Sequence, residues 1–240
     1  MRIRSAFVVP AVIALLVSGG AFAQPKPPAS ASAAPAPSSS APAAKPSTAS
    51  DLAAAIQKAY VSIQAYEADF TQQYSMKAFG QTKTSKGHVL FVKPGKMRWD
   101  YTDPKGNLIV SDNETLWSYV VSDNQARKMK VKDSQMPTAL AFLTGKGDLS
   151  KEFNLELMDA KQLKFEGGYV LKATPKVATN LYNFVLFYVD GTTYHVRRVL
   201  IVDAQDNRNR FDFEKPTVNG KWDEARFKWT PPSTVNVAGN

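Results

Sequence analysis

Between Val89 and Val120 apolar and polar residues alternate in short runs. In Lys96–Tyr101, Met97, Trp99 and Tyr101 fall on one side of an extended chain, while Lys96, Arg98 and Asp100 fall on the other. In Thr115–Val121, Trp117, Tyr119 and Val121 share a side. The pattern predicts consecutive strands that set two Trp, two Tyr and a Met on one buried face. What covers that face is either the protein's own core or an apolar ligand.

The same reading extends over the rest of the chain. Ser50 is a candidate N-cap, and Leu52, Ile56, Tyr60 and Ile63 recur at helical spacing, so a helix is expected to about Tyr66. Strands are expected near Glu67–Met76, Lys83–Lys93, Lys96–Tyr101, Leu108–Ser111, Thr115–Val121 and Gln125–Val131. Pro137–Thr144 reads as a short helix, with a further turn at Leu149–Phe153. Strands resume at Leu155–Asp159, Tyr169–Ala173, Tyr182–Asp190, Tyr194–Asp203 and Arg208–Glu214, with a last short one at Phe227–Thr230. Turn residues such as Pro94-Gly95, Asp103-Pro104-Lys105-Gly106 and Asp190-Gly191 separate them and imply antiparallel neighbours. The sum is a mainly β fold: an incomplete, half-open antiparallel β-barrel of about eleven strands, with a helical lid over a hydrophobic concave face. Asn183–Asp190 and His88–Val92 are apolar on both sides, which places them between two apolar layers.

Composition narrows the class. Residues 1–23 carry Arg2 and Arg4, an apolar run from Ala6 to Val17, and Ala21-Phe22-Ala23 before Gln24. They read as a secretory signal peptide. Residues 24–48 are Pro, Ala and Ser with few apolar groups, the composition of a disordered tether. Residues 49–240 then form one domain. The formal charge of +9 is scattered rather than clustered and calls for no nucleic acid. With no cysteine there is no disulfide framework, thiol nucleophile, thiolate metal site or lipidated N-terminal Cys. His88 and His195 each sit inside an apolar strand, and no Ser-His-Asp arrangement, metal spacing or phosphate loop is evident, so neither catalysis nor a cofactor is expected.

Several segments together resemble the periplasmic outer-membrane lipoprotein carriers of the LolA family. They are Ala68-Asp69-Phe70-Thr71-Gln72, Lys93-Pro94-Gly95-Lys96-Met97-Arg98-Trp99-Asp100-Tyr101, Ile109-Val110-Ser111-Asp112, Thr115-Leu116-Trp117-Ser118-Tyr119, the Pro137–Thr144 segment and Phe227-Lys228-Trp229-Thr230-Pro231-Pro232. The resemblance implies a monomeric periplasmic chaperone without cofactor or metal. Its cargo would be acylated lipoproteins, taken from an ATP-driven inner-membrane transporter and given to an outer-membrane lipoprotein receptor of similar fold. It also implies an acyl-chain cavity lined by Leu52, Ile56, Phe70, Phe91, Met97, Trp99, Val110, Trp117, Tyr119, Leu140, Phe142 and Leu143. The last three would belong to a lid that packs on Trp99 and Trp117 when no cargo is bound. Lys93 stands where many family members have the Arg that latches the lid, so the resemblance implies a latch that is either weaker here or supplied by Arg98. A half-barrel carrying another apolar ligand, such as a glycolipid, is the alternative.

Overall fold

The computed structural model describes residues 45–131, 148–179 and 181–239. Helix α1 (Ala49–Val61) opens on a capping box: the Thr48 hydroxyl accepts from Asp51 N, and the Asp51 carboxylate accepts from Thr48 N. The cap is therefore Thr48 rather than Ser50. The helix also ends at Val61, short of the expected Tyr66. Its termination is set by side chains far along the chain. The Asn219 amide oxygen accepts from Gln64 N at 2.7 Å, its amide nitrogen donates to Ser62 O at 3.2 Å, and Lys93 Nζ donates to Tyr60 O. These bonds satisfy groups that a longer helix would have used internally, and Tyr66 is released to the sheet.

Among the described residues twelve strands form one sheet. A first meander comprises β1 (Ala65–Met76), β2 (Gln81–Val92), β3 (Lys96–Asp103), β4 (Lys105–Asp112), β5 (Thr115–Val120) and β6 (Gln125–Lys130). A second follows the short helix α2 (Leu149–Glu152): β7 (Phe153–Met158), β8 (Gly168–Pro175), β9 (Phe184–Asp190), β10 (Val196–Val202) and β11 (Arg208–Val218). The meanders join where β1 pairs with β11, so the order is β12-β6-β5-β4-β3-β2-β1-β11-β10-β9-β8-β7. Every neighbouring pair is antiparallel except β12 (Asn236–Gly239), which lies parallel to β6. The sheet does not close, since β12 and β7 are its edges.

The last strand differs from expectation. Phe227–Thr230 is not a strand; Glu224–Phe227 is a 3₁₀ turn capped by Asp223, whose carboxylate accepts from Ala225 N at 2.9 Å. Arg98 Nη1 donates to Arg226 O at 2.7 Å, and Arg226 reaches Glu67 at 3.0 Å, fixing the turn against the sheet. The Leu149–Phe153 turn is present as α2, capped by Asp148. The expected Pro137–Thr144 helix lies outside the described residues.

The core sits on the inner face of the sheet, where Leu52, Ala53, Ile56 and Tyr60 of α1 pack on residues from both meanders. Val196 N donates to the Tyr60 hydroxyl at 3.0 Å in the middle of this layer. Burial pushes the phenols of Tyr60 and Tyr66 well above the usual range, so both stay neutral. Gly87 is required by close approach: a Cβ there would lie 2.2 Å from Asp100 O and 2.8 Å from the Phe70 ring. On the outer face Phe227 covers Ala65, Leu90 and Val92, and Phe165 covers Val170, Leu186 and Tyr188. These two patches are why β2 and β9 are apolar on both sides.

Candidate functional site

Register decides which side chains meet. Trp99 pairs with Val89 and with Ile109, and Ile109 pairs with Ser118. These residues therefore share the inner face. Arg98 pairs with Val110, Val110 with Trp117, and Leu108 with Tyr119. Those residues share the outer face.

The expected cavity lining consequently divides. Leu52, Ile56, Phe70, Phe91, Met97 and Trp99 come together on the inner face. Val110, Trp117 and Tyr119 do not join them. Val110 is buried on the outer face, while the Trp229 ring packs 5.5 Å from Trp117 and 5.6 Å from Tyr119, with Lys128 Nζ 5.4 Å from the Trp117 ring. Trp117 therefore faces away from the concave side on which Trp99 lies. Leu140, Phe142 and Leu143 lie outside the described residues.

The two latch residues also separate. Lys93 binds the last turn of α1 through Tyr60 O, with its ammonium partly desolvated and its pKa lowered by that burial. Arg98 points to the outer face, where it holds Asp100 Oδ2 at 2.7 Å and the Arg226 carbonyl. It fastens the C-terminal strap and not a cover on the inner side.

The centre of the inner face is a set of aromatic rings in edge-to-face contact. The Trp99 ring lies 5.0 Å from Phe70, 5.3 Å from Phe211 and 5.5 Å from Phe91, and Trp99 is only 4% exposed. Such contacts add about 0.5–1.5 kcal/mol per pair beyond burial alone. Phe211 and Phe213 complete the set, yet they were not among the expected lining. Their alternation in Arg208–Glu214 is visible in sequence, but only the β1–β11 pairing brings them beside Phe70. Toward the β6 edge the layer continues as half-buried Tyr101, Ile109, Met129 and Val131.

One polar rung crosses this face. The Tyr101 hydroxyl donates to Gln72 Oε1 at 3.0 Å, and Gln72 Nε2 donates to Asn209 Oδ1 at 2.9 Å. Burial raises the Tyr101 phenol, keeping it a neutral donor. The histidines lie apart. His88 pairs with Asp69 on the outer face at 2.5 Å, and His195 packs 5.7 Å from the Tyr60 ring. Among the described residues no three His, Cys, Asp or Glu are grouped to hold a metal ion, and no described helix is long and apolar enough to cross a membrane.

An open sheet wound about a helix, with an aromatic inner layer, is the architecture of the incomplete-barrel carriers, a transport class and not an enzyme class. The chain belongs to the family described as outer membrane lipoprotein carrier protein LolA, whose model matches residues 61–230. An outer-membrane lipoprotein carrier protein of Methylibium petroleiphilum is 32% identical over 171 residues, which cover 71% of this chain and 80% of that protein. Another from Dechloromonas aromatica is 28% identical over 173 residues, covering 72% and 80% respectively. Among solved structures the chain is similar to a conserved protein of Thermus thermophilus, with a TM-score of 0.49 at 13% identity over 80% of this chain and 99% of that one.

Proposed function

We propose that this lipoprotein carrier works in the periplasm, takes acylated lipoproteins from an inner-membrane ATP-driven transporter, and delivers them to an outer-membrane receptor of similar fold. The observation that carries this reading is the inner-face layer of Phe70, Phe91, Met97, Trp99 and Phe211, a broad apolar surface in the same core as the apolar face of α1. Residues 1–23 serve as the export signal and residues 24–48 as the tether in this proposal.

The physics of the task fits such a layer. Each methylene of an acyl chain gains ~0.8 kcal/mol on leaving water, so free lipidated protein aggregates or stays in its membrane. A carrier must bury those chains and still let them go. When cargo replaces a cover that already packs on the same rings, one apolar contact is exchanged for another and the net free energy stays small. Leu140, Phe142 and Leu143 are the proposed cover, with Trp99 as their counterpart, and Lys93 steadies the neighbouring end of α1.

Depletion of the protein in its own cell tests the role directly. Lipoproteins are expected to accumulate at the inner membrane. Normal delivery to the outer membrane, in cells shown to lack the protein, would overturn it. Native mass spectrometry of protein isolated from the periplasm tests the cargo, because a bound glycolipid mass in place of an acylated protein identifies the other half-barrel role.

A further inference from the structure

The outer face of the sheet carries a groove that the carrier role does not use. It consists of two adjoining hollows. One, of about 370 Å³, lies over β1, β10 and β11; the other, of about 630 Å³, lies between β10 and the loop joining β7 to β8. Phe165, Arg197 and Arg198 line both.

The charges in this groove are unequally matched. Arg198 holds Asp212 at 2.5 Å with its guanidinium 5.0 Å from the Tyr188 ring, and Arg210 holds the same carboxylate at 2.6 Å. That carboxylate is saturated. Arg197 stacks 5.5 Å from the Phe165 ring, and its carboxylate partner, Asp190, stands 3.9 Å away. Lys161 and Lys164 face the same hollow and form no ion pair among the described residues. Against these three cations the larger hollow sets a single acid, Glu166, while Asp212 and Glu214 line the smaller one.

We propose that this groove binds a phosphate-bearing group, with Arg197, Lys161 and Lys164 taking its oxygens and Phe165 meeting its organic part. A guanidinium steadied on a ring offers its planar fork at low entropic cost, and that fork matches phosphate oxygens. Three weakly compensated cations favour an anion that carries several acceptor oxygens over a lone carboxylate. The volume suits a small molecule or a lipid headgroup rather than a length of polypeptide. Because the groove lies on the face opposite α1, it can fill while the inner layer is occupied. The inference stands whether or not the cargo is a lipoprotein.

Calorimetric titration of the full chain with glycerol 3-phosphate, alongside co-sedimentation with phosphatidylglycerol and phosphatidylcholine vesicles, tests it. Saturable binding of glycerol 3-phosphate identifies a free phosphate compound as sufficient. Binding to phosphatidylglycerol vesicles alone identifies the headgroup as the source. Either is expected to weaken at least tenfold in Lys161→Gln/Lys164→Gln/Arg197→Gln. Lys161→Gln alone, a change at an exposed loop position, is expected to act in the same direction should the triple variant fail to fold. Absence of both kinds of binding would overturn the proposal. So would an equal loss in Lys105→Gln/Lys221→Gln, which removes the same kind of charge far from the groove, or binding of an acidic peptide with no response to phosphate.

Discussion

Lys93 and His195 show how single side chains tie α1 to the sheet. Lys93 Nζ takes the Tyr60 carbonyl near the helix C-terminus, where a cation also complements the helix dipole. Lys93→Met keeps the stem but removes the charged donor from that carbonyl, which retains the bond from Ile63 N at 3.2 Å. A loss of about 1–2 kcal/mol in denaturant-unfolding free energy is expected, with Lys93→Arg restoring most of it. His195 lies against Tyr60, and burial lowers its pKa, opposed in part by Asp190. The unfolded chain therefore takes up the proton first as pH falls. Above its ordinary value of about 6.5 both states are neutral and His195 contributes no slope; as pH drops below that value stability declines. His195→Gln is expected to flatten this decline between about pH 7 and pH 5, measured as the difference in unfolding free energy between the two proteins. Neither contact is visible in sequence, where Lys93 reads as part of a strand turn and His195 as a residue within a strand.

At the scale of elements, the existence of β1 to β11 is legible, while β12 and the relative placement of the strands are not. The strands announce themselves through alternation and through turns such as Pro94-Gly95 and Asp190-Gly191. Within β3 and β5 the side chains alternate between faces as their patterns predict. What no single strand encodes is the offset to its neighbour. Because Ile109 pairs with Ser118, the face of Trp99 receives Leu116 and Ser118, while Trp117 and Tyr119 go outward. A register differing by one residue would have reversed this. The same limit applies to Phe227–Trp229, whose apolar alternation resembles a strand but serves as a strap over the outer face. The cap at Thr48 was legible in principle from the Thr48/Asp51 spacing. The helix end was not, because Asn219 and Lys93 determine it from afar. Gly87 gives an element-level test of the β1–β2–β3 packing. Gly87→Val forces a side chain into Phe70 and the Asp100 carbonyl and is expected to cost about 2–3 kcal/mol in a thermal or denaturant unfolding series. A neutral outcome would show that the strands separate there without penalty.

For the whole molecule, the division of the four tryptophans between faces is a ready-made reporter. Trp99 lies in the inner-face core among Phe70, Phe91 and Phe211, Trp117 and Trp229 lie together on the outer face, and Trp222 packs on Phe227. A variant keeping only Trp99 is expected to change its emission wavelength on adding an acylated peptide, whereas one keeping only Trp117 is expected to stay constant. The opposite pattern would move the ligand to the other side of the sheet. This test separates an acyl site on the inner layer from non-specific adhesion, since adhesion has no reason to respect the faces.

The seam between β1 and β11 has a consequence for how the polypeptide reaches its native state. Residues 65–76 leave the ribosome or a translocation pore long before residues 208–218, their partners across half of the central pairing. The early meander must wait with one flank of β1 unsatisfied, and distant pairings of this kind are slow to form. Chains truncated before Arg208 are expected to be cut rapidly by protease within β1, while the complete chain resists. A nascent intermediate that offers an open strand edge is a natural client for holding factors, and withholding them is expected to lower the folded yield of the chain.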